Sequence, residues 1–271
     1  MFDYSDKKVV LTGGASGVGA AAVRMIADLG GTDLTVLDVQ EPTGPASRFI
    51  PTDMSDPASI DAAIAEIGGG VDVLFNNAGI AGVHEPDLVL RVNALGPARL
   101  TRGLLGGMSS GAAIVNTASI AGQRWADNLA AILEFIAVED WEDGRRWVAD
   151  HTDLTATDPY GFSKQFMQVW TMQAARSMFN DRGIRINSVC PGPIDTPLIG
   201  DFIQHMTEQV INWAVDQAGG VMLTADEVAS TVVMLGSDAS AGINGHNVIV
   251  DKGLTASVTT GQADDTALGL S

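Results

Sequence analysis

Apolar residues recur along this chain in two alternating rhythms. Short continuous runs, VVL at 9–11, LTVL at 34–37, VDVLF at 71–75 and AAIV at 112–115, are separated by stretches whose apolar positions repeat every three or four residues. Runs without a polar face suit strands covered by helices on both sides. The pattern predicts seven strands, at 8–12, 34–38, 48–52, 71–76, 112–118, 185–189 and 247–250, with helices between them. Two helix starts are marked by caps: Asp56 stands before Pro57, and Thr224 precedes Glu227 by three positions as in a capping box. Regular alternation without an internal repeat or a linker predicts one α/β domain over residues 1–256, a doubly wound parallel sheet with helices on both faces. Residues 257–271, small, polar and acidic, read as a flexible tail.

Composition narrows the class. The chain has 271 residues, 46% of them hydrophobic, enough for a full core without staples. The single cysteine, Cys190, excludes an intramolecular disulfide and suits a reducing compartment. The first residues are polar and no apolar run reaches the length of a membrane span, so a cytoplasmic protein without a membrane partner is expected. A formal net charge of −18 repels phosphates and counts against nucleic-acid partners.

Between the first strand and the first helix stands TGGASGVG, Thr12 to Gly19. Gly13, Gly17 and Gly19 lack a Cβ, so the backbone can turn tightly and bring its amides, with those of Ser16 and Val18, to a diphosphate at the helix N-terminus. This placement predicts a Rossmann-type dinucleotide site at the carboxyl ends of the strands. The second strand ends at Asp38, followed by Val39, nineteen positions after Gly19. A carboxylate there accepts hydrogen bonds from ribose hydroxyls and repels a 2′-phosphate. Neither Ser16 nor the residues just after Asp38 supply a cation, so NAD is expected over NADP.

Further motifs follow in order. NNAG at 76–79, Asn93 in VNALG, Ser119 in IVNTASIAG, YGFSK with Tyr160 and Lys164, PGPIDTP at 191–197 and NVIVDKG near the end together resemble the short-chain dehydrogenase/reductase family from Lys7 to about Gly253. The resemblance implies an oxidoreductase in which Asn93, Ser119, Tyr160 and Lys164 are catalytic. It also implies cofactor contacts from Asp53 and Met54 after the third strand, from Asn77, Ala78 and Gly79, and from Pro191, Gly192, Ile194 and Thr196. Asp53 and Thr196 are equally ordinary turn residues.

The chemistry of YGFSK also follows from the residues themselves. A tyrosine hydroxyl with an ordinary pKa near 10 needs a nearby positive charge to act as a base at neutral pH. Lys164, one helical turn after Tyr160, is placed to lower that pKa. Ser119 at its strand end would orient a substrate oxygen toward Tyr160. By resemblance, Asn93 would hold a water beside Lys164 and complete a proton relay. These intact groups argue against a regulator that merely senses nucleotide.

Two spacings depart from the common pattern. Ser119 and Tyr160 stand 41 positions apart, so residues 123–157 are an insertion, with two short amphipathic helices in ADNLAAILEFIAVEDW and WEDGRRWVADH. Only 14 positions separate Gly79 from Asn93. The combination resembles the bacterial 3α-hydroxysteroid dehydrogenase/carbonyl reductase subgroup. Trp125, Leu129, Leu133, Leu198, Ile199, Phe202, Met206 and Trp213 either line a hydrophobic substrate pocket or pack the insertion onto the body. The expected substrate is a hydrophobic secondary alcohol or its ketone, foremost a 3-hydroxysteroid, with a bulky alicyclic or terpenoid alcohol as the alternative. The resemblance also implies a homodimer or homotetramer, with the insertion beside one of the usual pairing helices. His205 and His246 have no ligand-spaced partners, His84 and His151 read as solvated, and no metal is expected.

Overall fold

The structure, a computed structural model, describes residues 2–263. Its strands are β1 (Lys8–Thr12), β2 (Asp33–Asp38), β3 (Arg48–Pro51), β4 (Val71–Asn76), β5 (Met108–Thr117), β6 (Arg185–Pro191), β7 (Ile194–Asp195), β8 (Leu223–Thr224) and β9 (Asn247–Val250). Seven of them form one parallel sheet in the order β3-β2-β1-β4-β5-β6-β9, while β7 and β8 pair separately. This is the expected Rossmann-type arrangement, and the chain reverses its direction of winding between β1 and β4, where a cleft must open.

The helices are α1 (Gly17–Asp28), α2 (Pro57–Ile67), α3 (Pro86–Leu90), α4 (Gly96–Leu105), α5 (Leu129–Ala137), α6 (Trp141–Asp150), α7 (Thr152–Thr155), α8 (Pro159–Arg182), α9 (Ile199–Met206), α10 (Glu208–Gln217), α11 (Ala225–Gly236) and α12 (Leu254–Thr259). Both expected caps are present. Asp56 accepts from the Ala58 amide at 2.9 Å, and Thr224 and Glu227 close a reciprocal capping box. On one side of the sheet Val23 and Ile26 of α1 and Val228 and Val232 of α11 pack with Val9, Leu11, Val73 and Val115. On the other, Leu100 of α4 and Phe166 and Trp170 of α8 pack with Val10, Leu74 and Ile114. Covered on both faces, the central strands carry the unbroken apolar runs that announced them.

Two expectations change. β5 starts at Met108, earlier than the apolar run, because Val71 pairs with Met108 before a register shift brings Val73 opposite Ala113. Such a bulge leaves no hydrophobic signature in SSG. The expected tail is ordered in its first part: Ser257 to Thr259 belong to α12 and Ala263 is buried, while residues 264–271 lie outside the described residues.

The insertion forms α5, α6 and α7, as the two amphipathic stretches predicted, preceded by a 3-10 segment at Ile120–Asn128. Phe135 stacks on Trp147 at 4.6 Å between centroids and packs on Phe166 at 5.2 Å. Trp147 donates to Glu134 at 2.9 Å, and Arg145 reaches Asp87 in the first turn of α3 at 3.0 Å. His151 is not simply solvated. Its ring stacks on Trp147 at 3.9 Å, and Nδ1 lies 2.8 Å from the Trp147 carbonyl oxygen.

Candidate active site

The carboxyl ends of β1, β2, β4, β5 and β6 surround one cleft of about 640 Å³. Gly13 turns at a φ of 74°, and a Cβ there would stand 2.7 Å from the Ala78 Cα, so only glycine lets the β1 and β4 ends approach. Ser16 opens α1 without a side-chain capping hydrogen bond, leaving the first-turn amides to a ligand. Asp38 lies at the rim, where its carboxylate accepts from the Ala15 amide at 2.9 Å and the Gln40 amide at 3.1 Å. The carboxylate therefore shapes the glycine turn as well as facing the cleft.

Of the expected cofactor contacts, Gly13, Ser16, Gly17, Val18, Asp38, Val39, Asp53, Met54, Asn77, Ala78, Gly79, Tyr160, Lys164, Pro191, Gly192, Ile194 and Thr196 all line this cleft. Gly19 does not. Its missing Cβ would collide with the Gly13 carbonyl oxygen and the Asn77 amide, so it seats α1 against the turn behind the lining. The Asn77 side chain is occupied too, donating to the Gly13 carbonyl oxygen at 3.1 Å and accepting from Thr117 at 3.3 Å. Only the residue's remaining surface faces the cleft. Asp53 both lines the cleft and accepts from the Ser55 amide at 2.7 Å, joining the two alternatives.

Tyr160, Lys164 and Ser119 meet deeper in the cleft. Asp158 accepts from the Gly161 amide at 2.8 Å and starts α8, which presents Tyr160 and Lys164 one turn apart. The Tyr160 hydroxyl and Ser119 both line this part of the cleft, close enough for the serine to lower the proton affinity of the phenol. Lys164 Nζ donates to the Thr117 carbonyl oxygen at 2.9 Å and stands 5.4 Å from the centre of the Tyr160 ring. Ser119 accepts from the Ala121 amide at 3.1 Å, and its hydroxyl is 3.5 Å from the Pro191 carbonyl oxygen.

Burial dominates the proton affinities here. It pushes the Tyr160 phenol up to about 12; Ser119 opposes this and the Asp158 charge adds to it. Burial brings Lys164 down to about 8. The expected lowering of Tyr160 by Lys164 does not appear among the influences on the phenol, which desolvation dominates. Beneath them Cys190 is buried, and burial raises its thiol to about 11, so it is protonated at neutral pH rather than a nucleophile.

Asn93 lies behind the lining in a widened helical turn at Arg91–Leu95, where the Gly96 amide bonds five residues back to Arg91. Its side-chain oxygen accepts from the Ile80 amide at 2.9 Å. Its amide donates to the Ile80 carbonyl oxygen at 2.9 Å and to Ser163 at 3.2 Å. The side chain thus holds the loop after β4 against α8, leaving its donors and acceptor engaged within the protein.

An apolar wall faces Tyr160. Leu198, Ile199, Phe202, Met206 and Trp213 line the cleft as the first alternative expected, and Phe202 meets the Tyr160 ring edge-on at 4.9 Å. Trp125, Leu129 and Leu133 do not line it. Trp125 packs on the core, and Leu129 and Leu133 are exposed on the insertion. Sequence reasoning missed Ile80, Leu88, Val92 and His84, which line the same cleft. Leu88 of α3 and Val92 of the widened turn that continues it stand four positions apart, a spacing that signals a shared face once the helical run is recognised. His205 sits within 3.3 Å of Asp158. No group of three or more potential metal-ligating side chains occurs among the described residues, and no helix there is long and apolar enough to cross a membrane.

The pattern that defines the short chain dehydrogenases matches residues 7–131, and that of the enoyl-(acyl carrier protein) reductases matches residues 148–255. The interval between them falls inside the insertion. A coniferyl-alcohol dehydrogenase of Pseudomonas sp. (strain HR199 / DSM 7063) is 32% identical over 256 residues, covering 93% of this chain and 98% of that protein. A mitochondrial (-)-isopiperitenol/(-)-carveol dehydrogenase of Mentha piperita is 29% identical, covering 92% and 93%. In structure, the 3-alpha-hydroxysteroid dehydrogenase from Pseudomonas sp. B-0831, solved with NADH, superposes with a TM-score of 0.77 at 24% identity, over 94% of this chain and 99% of that one. The chain belongs to the short-chain dehydrogenase family, and is accordingly an oxidoreductase using a nicotinamide cofactor on a small-molecule substrate.

Proposed function

We propose that this protein is an NAD-dependent dehydrogenase of hydrophobic, ring-bearing alcohols. The observation that carries the reading is the pairing of Tyr160 and Ser119 with an apolar wall. Leu198, Phe202, Met206 and Trp213 line the cleft together with Ile80, Leu88 and Val92, and no aspartate, glutamate, lysine or arginine stands among them. Such a wall gains roughly 25 cal/mol per Å² of apolar surface removed from water and offers nothing to a sugar or a phosphate ester.

Asp38 supports NAD over NADP, since its carboxylate stands at the rim with no cation among the cleft residues beside it. The first-turn amides of α1, Asp38 and the backbone of Asn77 to Gly79 would hold the dinucleotide. When bound, it accepts the hydride. The protein handles the proton. Ser119 donates to or accepts from the substrate oxygen and holds it against Tyr160, which takes the hydroxyl proton in oxidation and returns it in reduction. Burial raises Tyr160 to about 12 and brings Lys164 down to about 8, so Lys164 is the first of the two to give up a proton and leaves the pair one proton short. That proton-deficient pair is the base for alcohol oxidation.

A coniferyl-type aryl alcohol is the leading substrate, because the 32% identity to the coniferyl-alcohol dehydrogenase extends over nearly the whole of both chains. A 3-hydroxysteroid is the second reading, favoured by the number of large apolar side chains that line the cleft, Leu88, Val92, Leu198, Phe202 and Trp213 among them. The test is NADH fluorescence after mixing protein and NAD with coniferyl alcohol, carveol or a 3α-hydroxysteroid. NADH formation with at least one supports the reading. Tight NAD binding without reduction by any of them would make the protein a nucleotide sensor instead.

A further inference from the structure

Gln168 follows Lys164 by four positions, as Lys164 follows Tyr160, so the three side chains form one stripe on α8. All three reach the end of β5 and the residues just after it. Tyr160 shares the cleft with the Ser119 side chain, Lys164 Nζ donates to the Thr117 carbonyl oxygen at 2.9 Å, and Gln168 Nε2 donates to the Ser119 carbonyl oxygen at 2.7 Å. Gln168 is 2% exposed and touches neither the cleft nor solvent to any useful extent. A glutamine pays heavily in side-chain entropy to be fixed in such a place, and leucine would fill the volume without a polar group to satisfy.

Its surroundings are built to receive it. The chain after Ser119 passes so close to α8 that a Cβ on Gly122 would stand 2.6 Å from Gln168 Nε2 and 2.6 Å from the Lys164 carbonyl oxygen. Gly122 in turn donates its amide to the Ser119 carbonyl oxygen at 3.1 Å, so that oxygen has two donors on one small arc. From the far side, Asn247 of β9 donates to the Gln168 carbonyl oxygen at 3.4 Å while accepting from Ser188 of β6 at 2.6 Å. The stripe is thereby registered against two further strands.

We infer that Gln168 is a positioning residue for Ser119, fixing the serine peptide so that its hydroxyl faces Tyr160 across the substrate oxygen. The inference rests on the role proposed for Ser119. Without the amide of Gln168, the Ser119 peptide keeps only the Gly122 donor and gains freedom to rotate, which moves Oγ relative to Tyr160. The effect falls on the reacting geometry and not on the dinucleotide half of the cleft.

The experiment compares Gln168→Leu, Gln168→Glu and Ser119→Ala with wild type, using coniferyl alcohol and NAD. Q168L should lower kcat roughly tenfold or more, the scale of a misplaced reacting group, with the Kd for NADH unchanged. In Q168E only the neutral acid can donate to the carbonyl oxygen, so its kcat relative to wild type should fall as pH rises, while the Q168L ratio stays flat. A merely structural role would leave both ratios flat with pH. A Q168L enzyme with wild-type kcat, or flat ratios in both variants, overturns the inference. S119A separates the two failures. If S119A is fully active, the role of Ser119 falls; if S119A is impaired and Q168L is not, the inference about Gln168 alone falls. Should wild type not turn over coniferyl alcohol, the crystal structure of Q168L decides: a turned Ser119 peptide supports the inference, and an unmoved one contradicts it.

Discussion

Lys164 spends one hydrogen bond on the Thr117 carbonyl oxygen at 2.9 Å while its ammonium stands 5.4 Å from the Tyr160 ring centre. The strand end thus fixes where the ammonium sits relative to the phenol. Burial holds Tyr160 at about 12 and brings Lys164 to about 8, so the first proton to leave the pair does so near the lower value.

The sign of the pH dependence follows. Below about 8 the pair is fully protonated and can give a proton to a ketone; above it the pair is one proton short and can accept one from an alcohol. Carbonyl reduction should fall, and alcohol oxidation rise, as pH passes through that value. Rates in both directions from pH 6 to 10 check this. Lys164→Met should remove the inflection from both profiles and lower kcat.

Asp38 should discriminate between dinucleotides through its charge. In Asp38→Asn an acceptor is kept but the repulsion of a 2′-phosphate is lost, about 1–4 kcal/mol at contact distances. The ratio of kcat/KM for NADP to that for NAD should increase about tenfold or more. An unchanged ratio would place the ribose away from Asp38.

Phe202 tests the apolar wall. Phe202→Ala removes the ring that meets Tyr160 at 4.9 Å, and the KM for a hydrophobic alcohol should increase by roughly one to two orders of magnitude, the scale of about 1.5–3 kcal/mol for burying a large apolar side chain. NAD affinity should stay the same. Titration of both ligands measures the contrast.

The insertion should matter for stability and not for the cleft. Phe135 is 1% exposed between Trp147 and Phe166, so Phe135→Ala should destabilise by about 3–5 kcal/mol. Leu133→Ala, on the exposed face, should change stability by less than about 0.5 kcal/mol and leave KM unaltered. Chemical denaturation of the two variants distinguishes them.

Much of this arrangement was written locally. The unbroken apolar runs of β1, β2 and β4 announced a covered parallel sheet, and TGGASGVG stood between strand and helix as a phosphate turn must. Tyr160 and Lys164 could be paired from helical spacing alone. What the sequence hid depends on contacts distant in the chain. Gly19 serves packing because the Gly13 carbonyl oxygen crosses its face, and Asn93 is consumed by Ile80, neither of which spacing reveals. Leu129 and Leu133 resembled pocket residues because an amphipathic helix does not say which neighbour its apolar face will meet. The desolvation that raises Tyr160 likewise belongs to the assembled cleft and not to YGFSK.

The account turns on the proton at Tyr160. In Tyr160→Phe, which keeps the ring and removes only the hydroxyl, single-turnover oxidation of coniferyl alcohol with saturating NAD should slow by about two to four orders of magnitude, the usual contribution of a positioned acid/base. The Kd for NADH should stay close to that of wild type. A Y160F enzyme that forms NADH at the wild-type rate would contradict the account.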